Sequence, residues 1–508
     1  MSALARSRLM TGYTRRHAPH HSMSGAGLVQ LTGLTGKEKE SGMRLLMSSL
    51  LMKQIRLLFV FGMAVVLTSA NAVSAQVLNS FVERAKTQGG PLAAVEAPAV
   101  TDAKATEEEE EAEEAQDDDL ERRVDLLAEE LERLRSGEDD IELSDDDARA
   151  RGLAPSAAAV YRTNRGLSIA GYGEFLYENY AKTKQNGSSG SMDKFDALRA
   201  IIYTGYRFSD KFVLNTEVEI EHAKEAYLEF AYVDYAATEN FGLRGGLLLV
   251  PMGLVNEFHE PTVFMGTERP FTENRIIPST WRENGAGMYG AFDKVSFRLY
   301  AVSGFNGDKF SSKGLRGGRQ KGYKAKSEDF AYTGRLDITP TPGVFFGGSF
   351  YSGGSAHGEL GPGKDLGTTI VDFHGQAQVR GFDIRGLWAN ATLDDAAAFN
   401  VHKGYTGSKG LAEKMEGGYI MFGYNLLSQT ADIGGPAFTP YIKFEQVDTQ
   451  AKMPTGYSRS LSTLNNWRTI GFDFKPIPNV VIKVDYMKNT NNGDTGLDQF
   501  NVALGYGF

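Results

Sequence analysis

The sequence, 508 residues long, contains no cysteine. Disulfides, thiolate metal sites, c-type haem attachment and cysteine nucleophiles are therefore excluded, and a thiol-free chain can cross an oxidising periplasm without mispairing. Long apolar runs are also missing. Mean hydropathy is -0.31, and the eleven-residue run 57–67 falls short of the roughly 20 residues a membrane helix needs. That rules out a bundle of membrane helices. One-signed charge is absent from most of the chain: of the net -10, residues 102 to 147 hold 23 acids against 5 bases, residues 1 to 101 stand at +7, and the rest at +1. No nucleic-acid partner is implied. Histidine is scarce, 8 in all, and His222, His259, His357, His374 and His402 are those beyond residue 165. They give no triad spacing and no H-E-x-x-H pair, so an enzyme, a metal site and a cofactor are not expected. What the chain has in quantity is Gly, at 58, with 30 Phe and 22 Tyr. That mixture suits turns, close strand packing and interfacial aromatic belts.

The N-terminal third reads as delivery. Met52 opens "MKQIRLLFVFGMAVVLTSANAVSAQ", where Lys53 and Arg56 precede the apolar run and small residues follow. This is a signal peptide over 52–75, with cleavage expected after Ala75, Ala72 being the alternative. Residues 1–51 then read as an upstream extension from a wrongly assigned start, with Met43 or Met52 the true one. Residues 76–118 form an acidic linker that repels itself and buries no core. Over 119–136, Leu120, Val124, Leu127, Leu131 and Leu134 recur at spacings of 4, 3, 4 and 3, the a/d seam of a short coiled coil. A single amphipathic helix docked on the mouth of the following domain is the alternative. Residues 137–165 read as a second linker.

From residue 166 to 508 the period becomes two. Alternating segments are expected at 166–180, 195–208, 212–222, 225–237, 241–251, 285–293, 295–305, 329–339, 343–353, 368–380, 382–393, 414–427, 437–448, 466–476, 480–489 and 498–508. Sixteen is an even number, and the connections sort by parity into short turns and mostly long loops. A soluble sandwich has no reason to sort its loops that way. The pattern is that of a transmembrane antiparallel β-barrel with short periplasmic turns, preceded by a short periplasmic coiled-coil helix. In "FVLNTEVEIEH", Leu214, Val218 and Ile220 oppose Asn215, Glu217, Glu219 and Glu221. The apolar row belongs to lipid and the charged row to a lumen, which sixteen strands leave wide enough for water. The chain ends on "QFNVALGYGF", whose alternation closes on Phe508.

That terminal aromatic resembles the signal which Gram-negative barrels present to their barrel-assembly machinery. "GLSIAGYGEFLYE", "EVEIEHAKEAYLEFAYVDY", "FGLRGGLLLVPMGL" and "ERPFTENRIIPSTWRENGAGMYGAF" are similar to the phosphate-selective porin O and P superfamily. The resemblance covers about residues 160 to 508 and implies a homotrimeric outer-membrane porin for small solutes or anions. The ladder of lumen arginines and lysines found in anion-specific members has no equivalent run here.

Pore-lining candidates follow from the inward rows: Glu217, Glu219, Glu221, Glu225 and Glu229 facing Arg199, Arg207 and Arg244, with the wall charges Arg298, Arg335, Asp337, Lys443, Glu445, Asp473, Lys475, Lys483 and Asp485. Mutual neutralisation of acids and bases is the expectation weighed against dedicated ligand sites. The 254–284 loop carries three prolines among aromatic and apolar residues, an unlikely makeup for a solvated excursion. It is expected to fold inward as a constriction, bringing Glu257, His259, Glu260, Glu268, Arg269, Glu273, Arg275, Arg282 and Glu283 with it. The 306–328 loop supplies Lys309, Lys313, Arg316, Arg319, Lys321, Lys324 and Lys326, an external basic rim that draws anions in or touches outer-membrane lipid and lipopolysaccharide. A porin is the favoured reading, with a structural or adhesive barrel and a barrel-embedded hydrolase as alternatives.

Overall fold

The computed structural model describes residues 143–163, 166–432 and 434–508. The signal peptide, the acidic linker and the heptad seam lie outside the described residues.

The sixteen strands are β1 (Gly166–Tyr180), β2 (Lys194–Arg207), β3 (Phe212–Glu221), β4 (Glu225–Thr238), β5 (Phe241–Leu249), β6 (Arg282–Phe292), β7 (Val295–Ser303), β8 (Phe330–Thr341), β9 (Val344–Gly353), β10 (Thr368–Val379), β11 (Phe382–Leu393), β12 (Lys414–Tyr424), β13 (Ala437–Lys452), β14 (Leu464–Ile477), β15 (Val480–Asn491) and β16 (Gln499–Gly507). Each pairs antiparallel with its chain neighbours, and β1 closes on β16. The expected strand ends differ from these by at most four residues, at the end of β13. Alternation dictates the faces. On β3, Asn215, Glu217 and Glu219 are buried while Val218 and Ile220 stay exposed. The same outward apolar row continues around the barrel through Leu228, Leu243, Leu299, Phe350, Ile442 and Ile482. A closed sheet with this exterior leaves no unpaired edge and turns a mainly apolar row toward lipid. A closed, sixteen-strand antiparallel circuit with a lipid-facing exterior is the architecture of an outer-membrane barrel.

Connections of two to four residues gather at one end, at 208–211, 239–240, 293–294, 342–343, 380–381 and 478–479, together with one of twelve at 425–436. The opposite end carries the long loops, apart from seven residues at 492–498 and three at 222–224, where His222 and Ala223 take positive φ to turn tightly. Phe508 lies at the short-turn end, which is therefore periplasmic. Outward aromatic pairs ring that end: Tyr206 with Phe208 at 4.9 Å, Phe212 with Tyr235 at 4.8 Å, Phe382 with Tyr424 at 4.7 Å and Phe438 with Phe472 at 5.1 Å. Phe508 is tied by backbone bonds in both directions to Gly171, at 2.9 and 2.8 Å. A Cβ on Gly171 would come within 2.7 Å of the Phe508 ring, and one on Gly173 within 2.4 Å of the Tyr506 hydroxyl. These two glycines are seats for the terminal rings.

The stretch expected as a linker over 137–165 instead contributes two helices, α1 (Asp145–Ala150) and α2 (Pro155–Arg162). Ser144 caps α1, its hydroxyl accepting from the Asp147 N–H at 3.1 Å, and Pro155 opens α2 where its missing N–H costs nothing. The small side chains of Ala157 and Ala158 let α2 press against β1, β2 and β3, and a Cβ on Gly205 would collide with Val160. Each helix is too short for an apolar period to show in the sequence.

Candidate functional site

The lumen is organised by the β5–β6 connection, residues 250–281, which folds inward and includes the short helix α3 (Thr272–Arg275). Its own frame is Asn256, whose amide donates to the carbonyls of Val250 at 2.7 Å and Trp281 at 2.9 Å and accepts from the Trp281 N–H at 2.6 Å. That side chain clamps the two stems of the loop together. The Glu273 carboxylate accepts from Val255 N–H at 2.8 Å and from the Tyr419 hydroxyl on β12 at 2.5 Å.

The wall then supplies partners for the loop backbone. Lys483 donates to the carbonyls of Phe264 and Gly266, both at 2.8 Å, and Lys475 to that of Thr262 at 2.7 Å. Arg385 donates to Val263 O at 2.7 Å, and Arg335 to Gly253 O. From the acidic side, Asp372 accepts from Gly253 N–H at 3.2 Å, Asp485 from Thr267 N–H at 2.9 Å, Asp473 from Gly266 N–H at 3.3 Å and Glu445 from Thr272 N–H at 2.7 Å. An irregular loop at membrane depth must have its peptide groups satisfied by protein. The mixed-sign wall does this, and its charges are committed to holding the loop.

The remaining inward charges pair among themselves. Arg199 lies 3.3 Å from Glu174 and 3.8 Å from Glu219, Arg282 pairs with Glu229, and Arg244 grips Asp234 at 2.7 and 2.9 Å while lying 4.2 Å over the Tyr232 ring. Glu257 meets Arg298 at 3.2 Å, and Asp337 accepts from Arg298, Arg335 and His374 at 3.1, 2.6 and 2.8 Å. His374 is held on its other nitrogen by Asp372 at 2.6 Å. Glu217 receives the Tyr172 hydroxyl at 3.2 Å and His259 Nε2 at 3.3 Å, with His259 Nδ1 on Asn256 O at 2.8 Å. Lys443 sits 3.4 Å from Glu445. Of the expected acidic row, Glu225 stays exposed and Glu221 is only half-buried. A bulge between Glu217 and Val218 shifts β4, so that Glu229 and Phe230 are both buried.

The helices α1 and α2 occupy the periplasmic side of the lumen. The Tyr161 hydroxyl donates to Asp234 at 2.5 Å, Ser156 N–H and Oγ reach Glu260 at 2.9 and 3.0 Å, and Arg207 donates to the carbonyls of Tyr161 and Thr163 at 2.8 Å. Arg298 donates to Ala150 O at 2.7 Å. Arg207, a pore-lining candidate by its inward position, thus holds the plug. Burial raises the Glu260 carboxyl to about 7, Ser156 partly opposing this. Burial likewise raises Glu268 and Glu273 to about 7.

The 306–328 loop does not form a uniform external rim. Lys309, Lys313 and Lys324 are exposed, but Phe310 and Leu315 are fully buried and draw Arg316, Arg319 and Lys321 down toward the constriction. Leu315 N–H donates to Arg275 O at 2.9 Å, and Arg319 donates to Thr280 O. The cause is apolar, since Phe305 and Phe310 join Trp281 and Tyr351 in a buried aromatic cluster. Lys326 instead ties Asp308 to Glu359 at the loop surface, with Lys403 on Asp308 at 3.3 Å. His402 brings a ligand-type atom within 4.8 Å of those two carboxylates, but the two ammonium groups already neutralise them.

Among the described residues the guanidinium groups without a carboxylate partner at the constriction are Arg269, Arg275, Arg316 and Arg319, the last held by the carbonyls of Arg316 and Thr280. Arg269 donates to His259 O at 3.2 Å and keeps a buried Nε–H without a partner, and Arg275 lies 5.2 Å over Phe271 and 5.0 Å over Trp467. Arg316 has a buried Nη1 with no partner. Burial, then the fields of Arg319 and Arg269, push Arg316 down to about 9. Sequence reasoning missed Tyr172, Glu174, Asp234, Asp372, Asp383 and Arg385; inward alternation marks each of them, but only the closed barrel tells which meets which.

No protein-family model matches the chain. Among solved structures, an anion-selective porin from Comamonas acidovorans aligns at 10% identity and TM-score 0.44, covering 67% of this chain and 99% of that one. The outer-membrane channel DcaP of Acinetobacter baumannii aligns at 11% identity and TM-score 0.44, covering 67% and 97%. An uncharacterized protein of Aquifex aeolicus (strain VF5) is 35% identical over 374 residues, 70% of this chain and 83% of that protein. By that match, the chain belongs to the same family as the Aquifex aeolicus protein.

Proposed function

We propose that the protein is a porin that lets small hydrophilic solutes diffuse across the outer membrane, with a preference for anions set at the constriction. The observation that carries the preference is the imbalance left after pairing. Most wall charges are ion-paired or hold loop backbone, whereas Arg269 and Arg316 each combine a buried N–H that has no acceptor with the lack of a carboxylate partner among the described residues. Burial first, then the fields of Arg319 and Arg269, lower the affinity of Arg316 for its proton. A passing anion relieves both deficits, and weak relief suits conduction, which needs entry without trapping. The exposed Lys309, Lys313 and Lys324 raise anion concentration at the outer mouth.

A hydrolase is disfavoured because, among the described residues, no serine hydroxyl is hydrogen-bonded to a histidine ring; the buried His259 and His374 are both taken by carboxylates. Planar-bilayer recording of the purified protein under a salt gradient tests the reading. Discrete conductance steps with a reversal potential on the anion side are expected, and Arg316→Gln with Arg269→Gln should move that potential toward zero. Absence of steps would sink the channel, and a cationic reversal potential would sink the preference.

A further inference from the structure

We infer that the periplasmic side of the lumen holds a binding site for amphipathic organic carboxylates, with Arg149 of α1 as its anion-binding group. The site is a cavity of about 460 Å³ between α1, the lumen loop and the periplasmic ends of β10, β11 and β14. That volume lies in the range of small-molecule sites.

Accounting for its charges leaves two lining cations without a carboxylate or carbonyl acceptor among the described residues, Arg380, which is exposed, and Arg149, which is half-buried against aromatic rings. Arg385 is bidentate on Asp383, at 2.8 and 2.7 Å, and Lys475 is spent on Thr262 O. Asp473 receives the Gly266 N–H, and Asp145 lies 3.6 Å from Arg162. Arg149 lines the cavity yet has no carboxylate or carbonyl acceptor for its guanidinium among the described residues. Its guanidinium carbon stands 5.4 Å from the Phe258 ring centroid and 4.8 Å from that of Phe345. Aromatic faces support a guanidinium but leave its N–H edge unsatisfied. Burial and the fields of Arg385 and Arg335 lower its proton affinity, which a bound anion would reverse.

The rest of the lining decides the class of anion. Phe258, Val263, Phe264 and Met265 of the lumen loop present an apolar surface to the same cavity. A narrower extension of about 20 Å³ runs on past Leu254 and Met421. A small hydrated anion gains nothing from these side chains, whereas a carboxylate on an aromatic or branched body buries apolar area while its head meets Arg149. The loop residues that form this surface are held from behind by Arg385, Lys475 and Lys483, so it is set before a ligand arrives. As a solute site this deepens the porin reading and rests on it, but the binding is measurable without current.

The test uses the full chain in lipid nanodiscs, with benzoate, inorganic phosphate and benzyl alcohol titrated by calorimetry or saturation-transfer NMR. Saturable benzoate binding is expected, clearly tighter than either control. Arg149→Gln should weaken it about tenfold, the scale of one charge-assisted hydrogen bond. Phe258→Leu should weaken it less, and Lys409→Gln, exposed in the 394–413 connection away from the cavity, should leave it unchanged. Equal affinity for phosphate and benzoate, an unchanged Arg149→Gln protein, or no saturable benzoate binding would each overturn the site. A conducting protein without benzoate binding removes this inference alone, and a benzoate-binding protein without conductance removes the porin reading alone.

Discussion

Asp337 shows what a single lumen residue carries. It accepts from Arg298, Arg335 and His374, and Arg335 in turn anchors Gly253 at the start of the lumen loop. Asp337→Asn leaves two buried guanidinium groups short of a counter-charge, a loss of about 3–5 kcal/mol for a broken buried pair. A matching fall is expected in the temperature at which the folded, fast-migrating band converts to the unfolded one on electrophoresis. The lumen loop also gives a pH response with a definite sign. Glu260, Glu268 and Glu273 are each raised from 4.5 to about 7 by burial. Their native forms hold protons more tightly than the released loop does, so the seated loop gains stability as pH falls from above 7 toward 4.5 and loses it as pH rises through 7. Conductance is therefore expected to fall between pH 8 and pH 5, and Glu260→Gln with Glu273→Gln should flatten that dependence. An unchanged profile in the double variant would remove the assignment.

At the scale of elements, the strands and the structures inside them obey different rules. Strand bounds were readable to within four residues, because pleating alternates faces every residue and turns need particular residues, both local properties. The plug formed by α1 and α2 was not readable. Its anchors, Tyr161 to Asp234 and Ser156 to Glu260, join residues 73 and 104 positions apart, and nothing in the local sequence announces them. Because the sixteen-strand circuit closes without it, deleting residues 143–163 should leave a heat-modifiable barrel and raise single-channel conductance. Tyr161→Phe with Ser156→Ala should give a smaller rise, since each hydrogen bond contributes only about 0.5–1.5 kcal/mol. Equal conductance in the deletion would mean that the plug lies off the permeation path. The 306–328 loop divides for a comparable reason: its bases mark it as a surface element, but Phe310 and Leu315 pull its middle inward.

For the whole molecule, we expect a homotrimer in which the heptads from Leu120 to Leu134 associate once three barrels hold them close. Little more than two heptads are marginal alone, and tethering raises their effective concentration. Deleting residues 120–135 should lower the temperature at which trimers dissociate on electrophoresis without changing barrel folding; an unchanged temperature would show that the coil is not an assembly element. The sequence by itself determined the strand number, the two faces of each strand and the sorting of connections. Each follows from period-two patterning and turn chemistry, which act over a few residues. Tertiary structure alone decided that the wall charges serve loop backbone, that residues 143–163 enter the lumen, and that Arg149, Arg269 and Arg316 are left without carboxylate partners. Such outcomes depend on barrel closure, which brings residues more than 200 positions apart, such as Lys483 and Phe264, within hydrogen-bond distance.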